Sequence, residues 1–194
     1  MRFSRIKSKL LFLILNKGGK ELNRKKIIIT FLCIAIICIV FIYENNPQTP
    51  YEFLVKKSIH ADIQTRPSEM VYQVKDDSGE YLLFYINERG ALACAIIEKG
   101  LFSYRVVKIS SQILLTSSEK PVDFIFSSYQ KGKAWIEWGI IRDKTVDKVL
   151  IDGKEAAIID TQTMRICYIS GKENEKTPSM TYQLYDKQGQ LISN

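Results

Sequence analysis

Residues 149–159 read Val-Leu-Ile-Asp-Gly-Lys-Glu-Ala-Ala-Ile-Ile. Two short apolar runs flank an Asp152-Gly153 pair. Such a pair accepts the positive φ of a type I′ turn at low steric cost, and that turn joins antiparallel strands. The same grammar extends on both sides. From about residue 69, short runs rich in β-branched and aromatic residues alternate with turn signals. The runs include 81–87, 91–97, 102–109, 122–126, 134–142, 164–170 and 181–185. The turns include Asp76-Asp77-Ser78-Gly79, Asn87-Glu88-Arg89-Gly90, Glu98-Lys99-Gly100 and Asp186-Lys187-Gln188-Gly189. Parallel strands would need crossovers of about a dozen residues, and no helical pattern supplies them. The expected fold is mainly β: an antiparallel sandwich or a strongly curved sheet over 51–194. Residues 110–121 are the least regular part, either a loop over one face or a short strand within a longer crossing.

Upstream of the strands the pattern changes. Residues 44–50, Glu-Asn-Asn-Pro-Gln-Thr-Pro, form a polar linker. Thr49 is a helix N-cap, Pro50 sits at the first helical position and Glu52 completes a capping-box spacing. One short helix is therefore expected over about 50–60, with His60 at its end.

Residues 27–43 carry no charge at all. At 1.5 Å per residue they span roughly 25 Å, slightly less than the ~30 Å hydrocarbon layer. Lys25 and Lys26 can snorkel inward and Tyr43 can sit at the outer interface. The run is apolar all round, which disfavours a buried core helix. Residues 1–26 hold nine of the 28 basic residues and, in Glu21, one of the 21 acidic residues, a net +8. Residues 44–194 keep 19 basic and 20 acidic residues, a net −1. A nucleic-acid domain would spread Lys and Arg over its folded part. This asymmetry is instead the positive-inside pattern of a single-pass membrane protein with a cytoplasmic N-terminus and an extracytoplasmic C-terminal domain. No small-residue cleavage site precedes Pro50, and neither Cys33 nor Cys38 follows a small residue as a lipidated cysteine would. The expected arrangement is an uncleaved signal-anchor at 27–43, a basic cytoplasmic tail at 1–26 and the bilayer as first partner. The apolar stretch at 10–15 is too short to span; it reads equally as an interfacial helix or as part of a disordered basic tail.

The sequence singles out little chemistry. His60 is the only histidine, so Ser/His/Asp or Cys/His catalysis lacks a positioned imidazole among the strands. No carboxylate spacing marks an acid pair, although glycosidase carboxylates meet in space rather than in sequence. Asp76-Asp77-Ser78-Gly79-Glu80 lacks the distal ligands of a calcium loop and reads as a turn. No phosphate-cradling glycine motif is present, so no cofactor and no metal is expected. Cys94 and Cys167 are the only cysteines beyond the span, a candidate disulfide or two buried thiols. In the run Ala134-Trp135-Ile136-Glu137-Trp138-Gly139-Ile140, alternate side chains share a face. Ile136, Trp138 and Ile140 point inward. Trp135 and Glu137 point the other way, a candidate surface for a sugar or a protein partner unless a second layer covers them. Packing is the preferred reading.

Three stretches, 91–110, 138–170 and 185–193, carry a resemblance. The motifs are Glu98-Lys99-Gly100-Leu101-Phe102, the Trp138–Ala156 hairpin and Tyr185–Gly189. They resemble a family of small membrane-anchored or secreted proteins of Gram-positive spore-forming bacteria with one extracytoplasmic β-rich domain. Ser103 and Tyr104 stand where that family has Gly and often Trp. The family has no established activity, so it assigns no functional residue. The leading expectation is a membrane-anchored extracytoplasmic module that binds another envelope protein or a cell-wall component. The rivals are a transmembrane regulator that signals through its basic tail, and a hydrolase whose acids meet only in the fold.

Overall fold

The computed structural model describes residues 24–45, 47–59, 61–76, 79–101, 103–116, 118–172 and 181–193, with side chains for these except 24–27, 41–45 and 193. The tail expected over 1–26 lies almost wholly outside them, as does His60. The chain divides into two compact units, 1–45 and 46–194.

In the first unit, helix α1 (Arg24–Asn45) carries the uncharged run 27–43 in one continuous element. Each of its described side chains, over 28–40, is exposed. Among the described residues no helix is long and apolar enough to cross a membrane.

The second unit is mainly β, with three antiparallel four-stranded sheets. The first has the order β1 (Pro67–Lys75), β2 (Tyr81–Asn87), β3 (Ala91–Lys99), β4 (Tyr104–Leu114). The second contains β5 (Val122–Tyr129), β6 (Ala134–Ile141), β9 (Ala157–Asp160) and β10 (Arg165–Lys172), in the order β5-β6-β10-β9. The third contains β7 (Lys148–Ile151), β8 (Lys154–Glu155), β11 (Tyr182–Tyr185) and β12 (Leu191–Ser193), in the order β12-β11-β7-β8.

Alternation along the strands sets the layering. Leu82, Phe84, Leu92, Cys94 and Ile96 of the first sheet pack against Ile136, Trp138, Ile140 and Ile166 of the second. The opposite face of the second sheet presents Val122, Ile141 and Cys167 to Val149, Ile151 and Leu184 of the third. The opposite face of the first sheet is covered by helix α2 (Pro50–Ser58), whose Leu54 seats among Leu83, Tyr85, Ala93, Ala95 and Ile97. Ala93 and Ala95 lack the bulk that would hold a helix away. The order of layers is therefore helix, sheet, sheet, sheet, and β6 lies in a layer covered on both sides. That is why all eight of its residues are buried.

Local signals explain the boundaries. The Thr49 hydroxyl accepts from the Glu52 N–H (3.1 Å), and the Glu52 carboxylate reaches back to the Gln48 N–H (2.9 Å). The cap is thus reciprocal, but its return bond falls one residue earlier than in the standard box. Asp152 and Gly153 take φ of 50° and 77°, as the type I′ turn requires. The run after them differs from its expected form. The sequence suggests one strand over 155–160; the structure ends β8 at Glu155 and starts β9 at Ala157 in another sheet. Buried Ala156 is the crossing point, its N–H donating to the Val149 carbonyl (2.9 Å). The segment 110–121 is also more regular than expected, because β4 runs on to Leu114.

Candidate functional site

Two places stand out, one a buried strand face with unpaired polar atoms and the other an open groove. The first is the strand face that the sequence singles out. Trp135 and Glu137 share the face of β6 that looks toward the third sheet, and they are 4% and 0% exposed. The Glu137 carboxylate accepts a hydrogen bond from the Tyr182 hydroxyl (2.7 Å). Tyr182 is held in turn by face-to-face stacking on Phe124, with centroids 4.0 Å apart. Trp135 lies near Phe126, with centroids 6.4 Å apart. Among the described residues, three buried side-chain polar atoms lack a hydrogen-bond partner: Arg66 Nε, Trp135 Nε1 and Glu137 Oε2. Two of the three sit on this one face.

Burial raises the Glu137 pKa, the Tyr182 hydrogen bond opposes that rise, and the nearby Asp152 charge adds to it. A buried carboxylate with one unsatisfied oxygen favours its neutral form. Glu137 is thus a sealed acid between two sheets, without a path to an external substrate in this conformation.

Gly139 lies on the same strand face. A Cβ there would stand 2.3 Å from the Asp123 carbonyl oxygen. The register of β6 is continuous with β5 and with β10, so the glycine marks a close backbone approach and not a bulge.

Cys94 and Cys167 are both free and both buried. Cys94 faces the layer between the first and second sheets; Cys167 faces the layer between the second and third. Burial raises both thiols, Cys167 to about 12, so neither is a thiolate at neutral pH. Among the described residues no group of His, Cys, Asp and Glu could hold a metal ion.

The second place is a groove of about 390 Å³ where the first sheet meets the second. One wall is Lys108–Ser111 of β4 and the other is Phe126–Ser128 of β5. Each of these strands is the last of its sheet, so each turns an unpaired edge toward the groove. No backbone bond joins the two strands among the described residues. β4 bulges here. Its pairing with β3 passes from Gln112 opposite Ala93 to Ile109 opposite Ala95, which inserts one extra residue. A bulge re-aims side chains at a sheet edge, and here it turns Ser110 inward. The Ser110 hydroxyl accepts from the Trp138 indole N–H (3.2 Å) and the Cys94 N–H (3.2 Å), and donates to the Ser111 carbonyl (2.9 Å). Ser110 is therefore fixed as the groove floor. Opposite it, Ser127 is only 7% exposed.

A second depression, of about 470 Å³, lies beside Ser118, Pro121, Arg142 and Asp143. Arg142 there is committed to structure, pairing with Asp123 (2.6 Å) and donating to the Leu114 carbonyl (2.8 Å).

Trp135 and Glu137 share a face, as strand alternation requires, but that face is buried between sheets and not a surface; the groove is not among the sequence expectations. The available signal was a pair of serines interrupting each of two apolar runs, at 110–111 and 127–128. No family model, no curated protein and no solved structure matches this chain.

Proposed function

We propose that the chain is a membrane-anchored extracytoplasmic binding module of the bacterial cell envelope, of the kind that the sequence resemblance implies. On this reading the uncharged run 27–43 holds it in the bilayer, the basic tail 1–26 stays in the cytoplasm, and the β-rich unit lies outside. The anchoring rests on the placement of charge, +8 before the run and −1 after it, since Lys and Arg are retained on the cytoplasmic side.

The observation that carries the binding half is the groove with two open strand edges. Unpaired backbone N–H and C=O groups on an edge strand invite another strand. Such edges suit an extended segment of another envelope protein, held by main-chain hydrogen bonds, with side chains selected by the serines, Phe126 and Lys108.

The test is site-specific photocrosslinking in living cells. A photoreactive phenylalanine analogue at Ser128, which is exposed on the groove wall, is expected to give a discrete adduct with one envelope protein. The same analogue at Lys187, on the exposed turn before β12, is expected to give none. Adducts of equal yield at both positions, or none at Ser128, would reject the groove as the binding site.

A further inference from the structure

The β3–β4 hairpin ends in an unusual tip. The Gly100 N–H donates to the Ser103 carbonyl (2.7 Å), which closes a tight turn. Tight hairpin turns favour Gly, Asn and Asp. This one carries Leu101, which is 96% exposed, the most exposed large apolar side chain among those described. A lone exposed leucine on a surface is ordinary. One placed where turn chemistry asks for a polar residue breaks a local rule, and such breaks concentrate at functional positions.

The base of the hairpin lies beside the linker. The Tyr104 hydroxyl donates to the Gln48 carbonyl (3.2 Å). Gln48 lies in the linker, five residues beyond Tyr43, the last residue of the uncharged run. Wherever that run leaves a bilayer, the linker emerges at its surface, and this bond keeps the hairpin base beside the linker. Tyr104 also packs near Phe53 and edge-on to Tyr81, with both centroid distances 6.0 Å. Half-buried aromatics with a polar tip suit the headgroup level of a membrane. Lys99 adjoins the tip, and its long stem lets the ammonium reach headgroups while the chain lies in apolar surroundings.

We infer that the β3–β4 tip is a membrane-contacting finger, with Leu101 inserted among the lipids of the outer leaflet. The inference rests on the anchored reading given above. Basic Lys75, Lys99 and Arg105 share this end of the first sheet with acidic Asp76, Glu80 and Glu98, so charge is balanced there and the contact rests on apolar insertion rather than on attraction to anionic headgroups.

The experiment uses the full chain reconstituted in phosphatidylethanolamine/phosphatidylglycerol vesicles. The two native tryptophans, Trp135 and Trp138, are buried and give a constant background. In the L101W chain, replacing the lipids by ones brominated on the upper acyl carbons is expected to quench the added fluorescence strongly, at low and at high salt. In the Q188W chain, altered at an exposed turn, the same lipids are expected to leave the added fluorescence unchanged. Equal quenching of both variants, quenching of neither, or loss of the L101W quenching at high salt overturns the finger while the chain stays with the vesicles after an alkaline wash. Release of the chain by that wash overturns the anchoring itself, and the finger with it.

Discussion

At Gly139 the absence of a side chain is what lets β5 approach β6. An added methyl would meet the Asp123 carbonyl oxygen at 2.3 Å, and both strands are held by continuous ladders. Gly139→Ala is expected to cost about 3 kcal/mol in urea unfolding, by the overpacking that a fixed core cannot relieve. Trp135→Ala removes a ring that is 4% exposed, so a loss of about 3–5 kcal/mol is expected, where a surface tryptophan would cost little. Tyr182→Phe takes away the one hydrogen bond that reaches the Glu137 carboxylate. About 1–3 kcal/mol is expected from leaving both oxygens unpaired.

The Glu137 charge also gives a pH signature. Its folded pKa is raised above the ordinary carboxyl value of 4.5, chiefly by burial. Protonation therefore favours the folded state. That contribution is complete below the ordinary value and is lost as the pH climbs through the raised folded one. Glu137→Gln is expected to stabilise the protein at pH 8 relative to the parent, with the difference closing toward pH 4 in paired thermal melts. A difference constant over that range would show that the carboxylate titrates normally. The alternation that puts Trp135 beside Glu137 was legible in the sequence. What covers them was not, because the covering sheet comes from residues 148–151 and 182–193, and pairing between distant strands leaves no local pattern.

At the scale of elements, the strands were the most readable part, and the reason is physical. A half-buried sheet enforces period two, and β2 begins and ends where its apolar run does. Reading failed where one run serves two sheets. Glu155–Asp160 looks like a single strand, yet it leaves one sheet and joins another at Ala156. Nothing in a β-branched run states which neighbour it will pair with. The Asp152-Gly153 turn was read correctly, since its backbone demand is local. Gly153→Val, at φ 77°, is expected to cost about 1–2 kcal/mol through the left-handed penalty of a side chain. Because β8 is only two residues long, that loss is expected to appear as faster amide exchange in β7 and β8 before any change in β2 or β3. The groove escaped the sequence for a related reason. It needs the ends of two sheets to meet with their edges open, and a bulge at Ser110 to turn one hydroxyl inward. Both are consequences of three-dimensional closure.

For the whole molecule, the proposal joins two units with different physics. The β-rich unit has its own core in three stacked clusters. Residues 46–194 alone are therefore expected to unfold in one cooperative urea transition, detected together by Trp fluorescence and far-ultraviolet circular dichroism. Two separated transitions would mean that the third sheet with β12 and β8 at its edges melts by itself. For the first unit the proposal rests on charge and apolarity, which the sequence states directly, and what it proposes is a location. That location is the central claim, and labelling with a membrane-impermeant maleimide in intact cells tests it most directly. In a chain with Cys33 and Cys38 replaced by alanine, Cys94 and Cys167 are buried and stay silent. Lys187→Cys is expected to label from outside, and Lys9→Cys only after lysis. Labelling of Lys9→Cys in intact cells, or of Lys187→Cys only after lysis, would contradict the account.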